Sequence, residues 1–143
     1  MLQKALMGNF SQSMDVKGRM SFPQKLREII GDRFIVTKGI DGCLFVYSLE
    51  DFDRICKKLM AIPMIRGRAI QRNIMSWAIE VEADKQGRIL IPQNLREQAS
   101  LEKEIIVAGV FDRCEIWDKK HFDEINSGVD DEELMKALEG TEL

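Results

Sequence analysis

The sequence lacks the features that mark membrane, secreted and metal-binding proteins. It contains no apolar run long enough to cross a bilayer, and its N-terminal residues 1–8 lack the apolar core and cleavage site of a signal peptide. Its three cysteines, Cys43, Cys56 and Cys114, are odd in number and far apart, which excludes a disulfide framework and a zinc ribbon. We therefore expect a cytoplasmic protein that binds no metal and whose cysteines behave as small buried hydrophobic residues.

Catalytic residue types in a recognisable arrangement are also scarce. His121 is the only histidine, and no serine or cysteine motif accompanies it. The chain contains no Gly-Lys-Ser/Thr phosphate loop and no His-Glu-x-x-His metal motif. The carboxylates of residues 130–133 stand in a polar run, where a solvated surface is the ordinary interpretation. The sequence thus predicts a protein that is not an enzyme and that takes neither a cofactor nor a small-molecule substrate.

The charges of the chain are unevenly distributed. Its 143 residues are 45% hydrophobic and 31% charged, which suits one compact domain or two small units that share a core. The net charge is −3, but residues 121–143 contribute −7, so residues 1–120 form a modestly basic body of net charge +4. The eight acidic residues of that terminal segment are Asp123, Glu124, Asp130, Asp131, Glu132, Glu133, Glu139 and Glu142. A nucleic-acid partner is therefore compatible with the acidic total.

The chain contains an internal repeat, which is its most informative feature. Residues 15–28 (DVKGRMSFPQKLRE) and residues 84–97 (DKQGRILIPQNLRE) align without a gap, 69 residues apart, and are identical at eight of 14 positions. A repeat of this kind indicates that one structural unit is built twice. Both copies of the Asp-x-x-Gly-Arg segment are basic, because the first carries Lys17 and Arg19 and the second carries Lys85 and Arg88.

Each copy predicts a strand, a turn, a second strand and a helix. Asp15 can accept a hydrogen bond from the backbone two residues on and so begin a tight turn. Gly18 suits a positive φ that other residues avoid, and we expect the same of Gly87. The alternation of apolar and polar residues after the glycine is typical of a strand. Pro23 suits the beginning of the helix that follows.

Hairpins and helices are predicted for the rest of each repeat. Residues 34–37 and 43–47 predict one β-hairpin, and residues 104–110 and 114–117 predict its counterpart. Ser48 predicts the beginning of a longer helix, with a capping residue three positions later.

A second connecting helix is predicted from about residue 66 to residue 75. Ile70 and Ile74 are expected to point inward, with Arg66, Arg68 and Arg72 outward. Two interpretations of these arginines stay open, namely contact with phosphate and a solvated helix face.

Together these motifs resemble the MraZ family of bacterial transcriptional regulators. The resemblance is carried by residues 7–10 (MGNF), by the two Asp-x-x-Gly-Arg segments with the prolines that follow them, and by residues 104–109 (EIIVAG) and 115–118 (EIWD). It extends over nearly the whole chain, from about Met7 to His121. The duplication of the Asp-x-x-Gly-Arg turn is the specific signal, since one copy alone would be weak.

The resemblance implies a fold. It implies a β-rich α+β protein in which two tandem AbrB/SpoVT-like repeats form swapped hairpins around one pseudo-two-fold core, with connecting helices. On this basis we expect the first repeat at residues 5–54, a helical connector at residues 55–76 and the second repeat at residues 77–124. Residues 125–143 are expected to form an acidic C-terminal tail.

The resemblance also implies a function. Proteins of this family assemble into rings of eight or more subunits and bind short direct repeats upstream of the division and cell-wall gene cluster that contains their own gene. They usually repress that cluster. We therefore expect double-stranded promoter DNA and further copies of the chain as partners of a nucleoid-associated protein. The residues expected to bind DNA are Asp15, Lys17, Gly18, Arg19, Asp84, Lys85 and Arg88.

A second hypothesis is an oligomeric protein-interaction module that does not bind DNA. In that case Asp15 with Arg19, and Asp84 with Arg88, are structural ion pairs across the two turns. The arginines favour the first hypothesis, because a planar guanidinium on a projecting turn suits phosphate or guanine edges. DNA binding with a steep salt dependence separates the two hypotheses.

Overall fold

The computed structural model describes residues 5–141, which form a mixed α+β fold rich in antiparallel strands. Residues 1–4, half of the segment that lacks the features of a signal peptide, lie outside the described residues. So do residues 142–143, at the end of the expected acidic tail. Within the described part of the chain, every helix is too short or too polar to cross a membrane.

The first copy of the repeat folds as strand, turn, strand and helix, as the sequence predicts. Pro23 is the N-cap of the helix, and Gly31 ends it with a φ of 92°. Ser48 caps the next helix, because its hydroxyl oxygen accepts a hydrogen bond from the Asp51 N–H at 3.0 Å. The elements of this part are β1 (Leu6–Ser13), β2 (Arg19–Ser21), α1 (Gln24–Ile30), β3 (Arg33–Lys38), β4 (Leu44–Ser48), α2 (Leu49–Met60) and α3 (Met64–Met75).

The second copy repeats the same order of elements. Pro92 precedes its helix as Pro23 does in the first copy. Two further helices follow the second hairpin. The elements of this part are β5 (Ile79–Glu82), β6 (Arg88–Leu90), α4 (Gln93–Gln98), β7 (Glu104–Phe111), β8 (Arg113–Asp118), α5 (Lys119–Ser127) and α6 (Asp131–Ala137).

Six strands form one antiparallel sheet in the order β1-β7-β8-β4-β3-β5. The two predicted hairpins, β3–β4 and β7–β8, are confirmed and meet in the middle of the sheet through β4 and β8. At the sides, β1 pairs with β7 and β5 pairs with β3. The strand that opens each repeat thus pairs with the hairpin of the other repeat, and β2 and β6 pair with each other as a separate two-stranded ribbon.

One hydrophobic core joins the two repeats. Strand alternation turns Met20 of β2 and Ile89 of β6 inward, where both are buried. The aromatic rings of Phe22 and Phe34 lie 4.8 Å apart between their centroids in the same cluster. Equivalent positions of the two copies are buried in matched pairs, namely Met20 with Ile89, Phe22 with Ile91, and Leu26 with Leu95.

One expectation about α3 is wrong. Ile70 is 48% exposed, and Gly67 occupies the inward position, close to the side chain of Ile62. The helical period explains the difference, because Gly67, Gln71 and Ile74 share one face and Ile70 lies at its edge. Arg66, Arg68 and Arg72 are exposed as expected.

The histidine and two of the three cysteines have packing roles. Cys114 on β8 and Cys43 directly before β4 are buried, and burial raises the pKa of each thiol to about 12. Cys56 on α2 is only half-buried. The His121 Nε2 lies 2.8 Å from the carbonyl oxygen of Asp41, and its ring centroid is 5.5 Å from that of Trp117. His121 therefore holds α5 against the turn between β3 and β4.

Candidate nucleic-acid interface

The first Asp-x-x-Gly-Arg segment forms a tight turn that Asp15 organises. The Asp15 Oδ1 accepts hydrogen bonds from the backbone N–H groups of Lys17 and Arg19, both at 2.9 Å. The N–H of Asp15 donates to the carbonyl of Arg19, also at 2.9 Å, and ties the base of the turn. The Arg19 Nε donates to the second carboxylate oxygen at 2.9 Å. Asp15 therefore shapes the backbone and orients the guanidinium at the same time.

The second turn repeats this arrangement, but its arginine lies farther from the aspartate. The Asp84 Oδ1 accepts hydrogen bonds from the N–H groups of Gln86 and Arg88 at 2.9 Å each. The Arg88 Nε lies 3.6 Å from the Asp84 Oδ2, too far for a hydrogen bond. Gln86 donates its backbone N–H just as Lys17 does in the first copy. The exchange of Lys17 for Gln86 therefore removes a side-chain charge and leaves the backbone hydrogen bonds of the turn unchanged.

Both aspartates are held in their charged form. The pKa of Asp15 lies below its ordinary value of 3.8, chiefly because the backbone N–H of Arg19 bonds to the carboxylate, and Arg88 has the same effect on the pKa of Asp84. Each carboxylate offsets part of the charge of its arginine. Lys17 and Lys85 are exposed and form no ion pair with any residue between 5 and 141, so they keep both turns positive.

Gly18 and Gly87 have positive φ angles of 88° and 79°, which confirms the prediction for both. They are also buried against the opposite repeat. A Cβ on Gly18 would lie 2.5 Å from the carbonyl oxygen of Ile91, and a Cβ on Gly87 would lie 2.5 Å from the Nη2 of Arg27. At Gly18 glycine is thus required twice, by the backbone angle and by the close approach of a backbone oxygen. At Gly87 the backbone angle is the main requirement, because the crowding atom is the end of a flexible side chain.

Two arginines that the sequence analysis did not select support these turns. The Arg27 Nε donates to the carbonyl of Phe22 at 3.0 Å, and its Nη1 pairs with Asp32 at 2.9 Å. The Arg96 Nε donates to the carbonyl of Ile91 at 3.0 Å, and its Nη1 lies 3.5 Å from the carbonyl oxygen of Val16 in the first turn. Their equivalent positions in the two copies of the repeat could have identified them from the sequence. A lone arginine on a short helix is normally solvated, so only the fold shows that each contacts the opposite turn.

The β2–β6 ribbon places both arginines of the turns on one surface. Arg19 pairs with Leu90, and Arg88 pairs with Ser21. Because Met20 and Ile89 between them point into the core, Arg19 and Arg88 point outward. Their side chains are 46% and 41% exposed. The strands are antiparallel, so the two turns lie at opposite ends of the ribbon. All seven residues predicted as a DNA site lie in this ribbon and its two turns.

Known proteins resemble the chain over almost its entire length. A family model described as "MraZ protein, putative antitoxin-like" matches it twice, over residues 5–73 and 74–142. A protein of Thermoanaerobacter sp. (strain X514), named transcriptional regulator MraZ, is 47% identical over 138 residues, which cover 94% of this chain and 96% of that protein. A protein of Desulforamulus reducens with the same name is 50% identical over 123 residues, or 85% of this chain and 87% of its own length.

A third relative, from Pelotomaculum thermopropionicum, also carries the name transcriptional regulator MraZ and is 51% identical over 119 residues, or 82% of each chain. The matches confirm the family resemblance that the duplicated motif predicts. The two separate matches of the family model also confirm that the chain is built from two repeats. The chain therefore belongs to the MraZ family, whose relatives named here are transcriptional regulators.

Proposed function

We propose that the chain is a sequence-specific transcriptional regulator that binds double-stranded promoter DNA through the β2–β6 ribbon and its two turns. The observation that carries the proposal is the common outward face of Arg19 and Arg88, with Lys17 and Lys85 beside them. Arginine suits bidentate contact with guanine or phosphate, and lysine suits phosphate as a point charge. The relatives' names support a role in regulating transcription.

The geometry of Arg19 suits readout of DNA. Its bond to Asp15 uses the Nε atom, so the terminal Nη groups remain available for a bidentate contact. Holding the guanidinium in place before binding reduces the side-chain entropy that the contact would otherwise cost. Arg88, at 3.6 Å from Asp84, is less constrained and supplies the weaker contact.

The strand pairing supports a two-fold arrangement of the repeats. We propose that the chain consists of two AbrB/SpoVT-like swapped-hairpin units around a pseudo-two-fold axis. Four pairings have the required form, because β1 with β7 mirrors β5 with β3, while β2–β6 and β4–β8 join equivalent strands. Such an axis would relate Arg19 to Arg88 and present both to one DNA surface.

Several copies acting together would give useful affinity. One chain offers two short basic turns, which is few for a protein that binds DNA mainly through phosphate contacts. A ring of eight or more copies on direct repeats raises the effective concentration of each turn without any new contact. We propose that the ring represses the division and cell-wall gene cluster that contains its own gene, as a nucleoid-associated protein of the cytoplasm.

The test is a binding titration with the DNA upstream of the chain's own gene. Fluorescence anisotropy should show preference for this DNA over a scrambled duplex of equal length and composition. Affinity should fall steeply between about 50 and 200 mM salt, as phosphate contacts require. Equal affinity for both duplexes, or none for either, would contradict the proposal. Mass photometry of the same samples reports the number of copies bound.

A protein-interaction module without DNA binding is the second candidate. It is favoured by the Asp15–Arg19 pair, whose 2.9 Å geometry has a structural role of its own, and by the exposed apolar residues Met60, Met64 and Ile65. The same titration distinguishes the two candidates, because a protein-interaction module should assemble but show no affinity for the upstream duplex.

A further inference from the structure

The junction of α2 and α3 exposes three large apolar side chains together. Met60, Met64 and Ile65 are 80%, 76% and 85% exposed, and we refer to these three residues as the connector tip. They are close in sequence and flank Pro63, which separates the two helices. Soluble proteins rarely leave such a group uncovered, and apolar patches rimmed by polar residues mark interaction sites. The connector tip is therefore a candidate interaction site.

The surroundings of the connector tip are basic. Residues 54–79 contain six lysines and arginines and no acidic residue. Arg54 and Lys57 pair with acidic residues of their own helix. Arg66, Arg68 and Arg72 are exposed and form no ion pair with any other part of residues 5–141. A partner that fits this surface is apolar in its middle and acidic at its edge.

Helix α6 has that character. Its N-cap and first turn contribute four carboxylates in a row, those of residues 130–133. Leu134, Met135 and Leu138 are 51%, 71% and 43% exposed. All described residues from 123 onward are exposed, so α6 has an apolar surface that nothing among residues 5–141 covers. The charge and the apolar content of α6 both complement the connector tip.

We propose that α6 of one copy docks on the connector tip of a second copy. The proposal rests on the assembly of several copies proposed above and names two surfaces that join them. The acidic residues of α6 face the arginines of α3, and its leucines and methionine cover Met60, Met64 and Ile65. Because the two surfaces differ, the contact repeats from copy to copy, which leads to a closed ring when the rotation between copies closes.

The fold favours a second copy over the same chain. The C-terminal end of α3 is fixed to β3, where the Thr37 hydroxyl donates to the carbonyl of Ile74 at 2.8 Å. The connector tip lies at the opposite end of this 12-residue helix, about 18 Å away at 1.5 Å per residue. Helix α5 packs on β7 and β8, which β4 separates from β3. The link at residues 128–130 spans only about 10 Å, so α6 stays near its own α5.

Charge reversal on each surface, followed by mixing, tests the contact. One variant carries Arg66→Glu and Arg68→Glu, and the other carries Glu132→Lys and Glu133→Lys. Each variant alone should raise the dissociation constant of assembly by about tenfold or more. The reason is that charges of the same sign then meet across the contact between α6 and the connector tip. Equimolar mixing should restore assembly, because the reversed tail then meets the reversed tip. The matched control, Lys103→Glu with Lys120→Glu, should assemble like the natural chain.

The readouts are mass photometry and analytical ultracentrifugation, with circular dichroism to verify helix content. Restoration on mixing supports contact between copies, and a docked tail within one chain could not produce it. Met64→Ser with Ile65→Ser should weaken assembly without any charge change. Unchanged assembly in both reversal variants would overturn this contact while leaving the proposed assembly intact. A natural chain that stays monomeric would overturn the assembly itself, and with it this contact.

Discussion

The residues of the first turn have different roles, which follow from the chemistry of their side chains. Asp15 closes the turn with two hydrogen bonds to backbone N–H groups and holds Arg19 by a third. Gly18 lets the backbone pass close to Ile91 of the other repeat. Arg19 and Lys17 are left to face solvent. The aspartate and glycine therefore act on the fold, and the two basic residues carry the proposed contact with DNA.

Arg19→Ala should weaken promoter binding while leaving fold and assembly intact. The loss should be about 1–3 kcal/mol for each bidentate contact removed, and copies acting together would multiply it. The melting temperature should hardly change, because an exposed ion pair contributes little stability. Arg88→Ala, in the looser turn, should have a milder effect. If Arg19→Ala melts early or dissociates, the arginine is structural and the DNA assignment of this turn is wrong.

Acid should weaken the turns through Asp15 and Asp84. Their pKa values are lower in the folded protein than the ordinary 3.8, so folding favours the ionised carboxylates. This stabilisation is complete above 3.8 and is lost as the pH falls through the lower, folded-state pKa. A double variant with Asp15→Asn and Asp84→Asn should have a lower melting temperature than the natural chain at neutral pH. The difference between the two melting temperatures should disappear in acid. Asp53→Asn, outside the turns, is the control.

Gly18→Ala should destabilise the protein more than Gly87→Ala does. The two glycines occupy equivalent turn positions with φ of 88° and 79°, so each substitution incurs about 1–2 kcal/mol of backbone strain. A Cβ at Gly18 meets a backbone atom, Ile91 O at 2.5 Å, whereas the nearest atom at Gly87 is the Nη2 of the Arg27 side chain, which can move aside. Overpacking should add about 1–3 kcal/mol at Gly18. Urea unfolding measures the difference, and equal losses would show that the crowding relaxes freely.

At the scale of elements, the tail and the ribbon have opposite charge. Helix α6 and the residues around it are acidic and exposed, whereas the ribbon and its turns present lysines and arginines. The terminal helices also differ from each other, since α5 packs on β7 and β8. The packed body of the fold therefore extends through α5 and does not depend on α6.

Deletion of residues 128–143 should leave the melting temperature nearly unchanged and raise affinity for random DNA. The removed helix buries no side chain, and its carboxylates repel phosphate. Melting is best compared at low protein concentration, where assembly contributes little. A short duplex that admits one chain isolates the charge effect from changes in assembly. Unchanged affinity would remove the support for electrostatic repulsion by the tail.

At the scale of the whole molecule, the two repeats share their structure. The pairings of β1 with β7, β3 with β5, and β2 with β6 all cross from one repeat to the other. The core is likewise built from both repeats. Neither repeat can satisfy its strands or cover its apolar residues alone.

A fragment of residues 1–76 should therefore not fold as a monomer. A chain this short is only marginally stable even with a complete core, and its β1 and β2 lack their partner strands. Circular dichroism and ultracentrifugation should show an unfolded chain or a dimer in which two copies replace the missing repeat. Mixing with residues 77–143 should restore native-like spectra. A monomeric fragment that unfolds cooperatively would show that one repeat is an independent unit.

The sequence by itself determined the repeat, the local elements and the turns. An Asp-x-x-Gly-Arg segment encodes its own shape, because the aspartate bonds to a backbone only two and four residues away and the glycine supplies the positive φ. Hairpins and helix starts such as Ser48 are equally local. The family resemblance followed from the same segment occurring twice.

Only the tertiary structure decided which repeat each strand pairs with, which turn Arg27 and Arg96 each contact, and which face of α3 is covered. These features depend largely on contacts between residues far apart in the chain, from 37 positions for Thr37 with Ile74 to 80 for Arg96 with Val16. Spacing along the chain carries no information about such contacts. The misplaced Ile70 has the same origin, since helical periodicity defines a stripe on a helix but the neighbouring Ile62 and the sheet select which edge of it is buried.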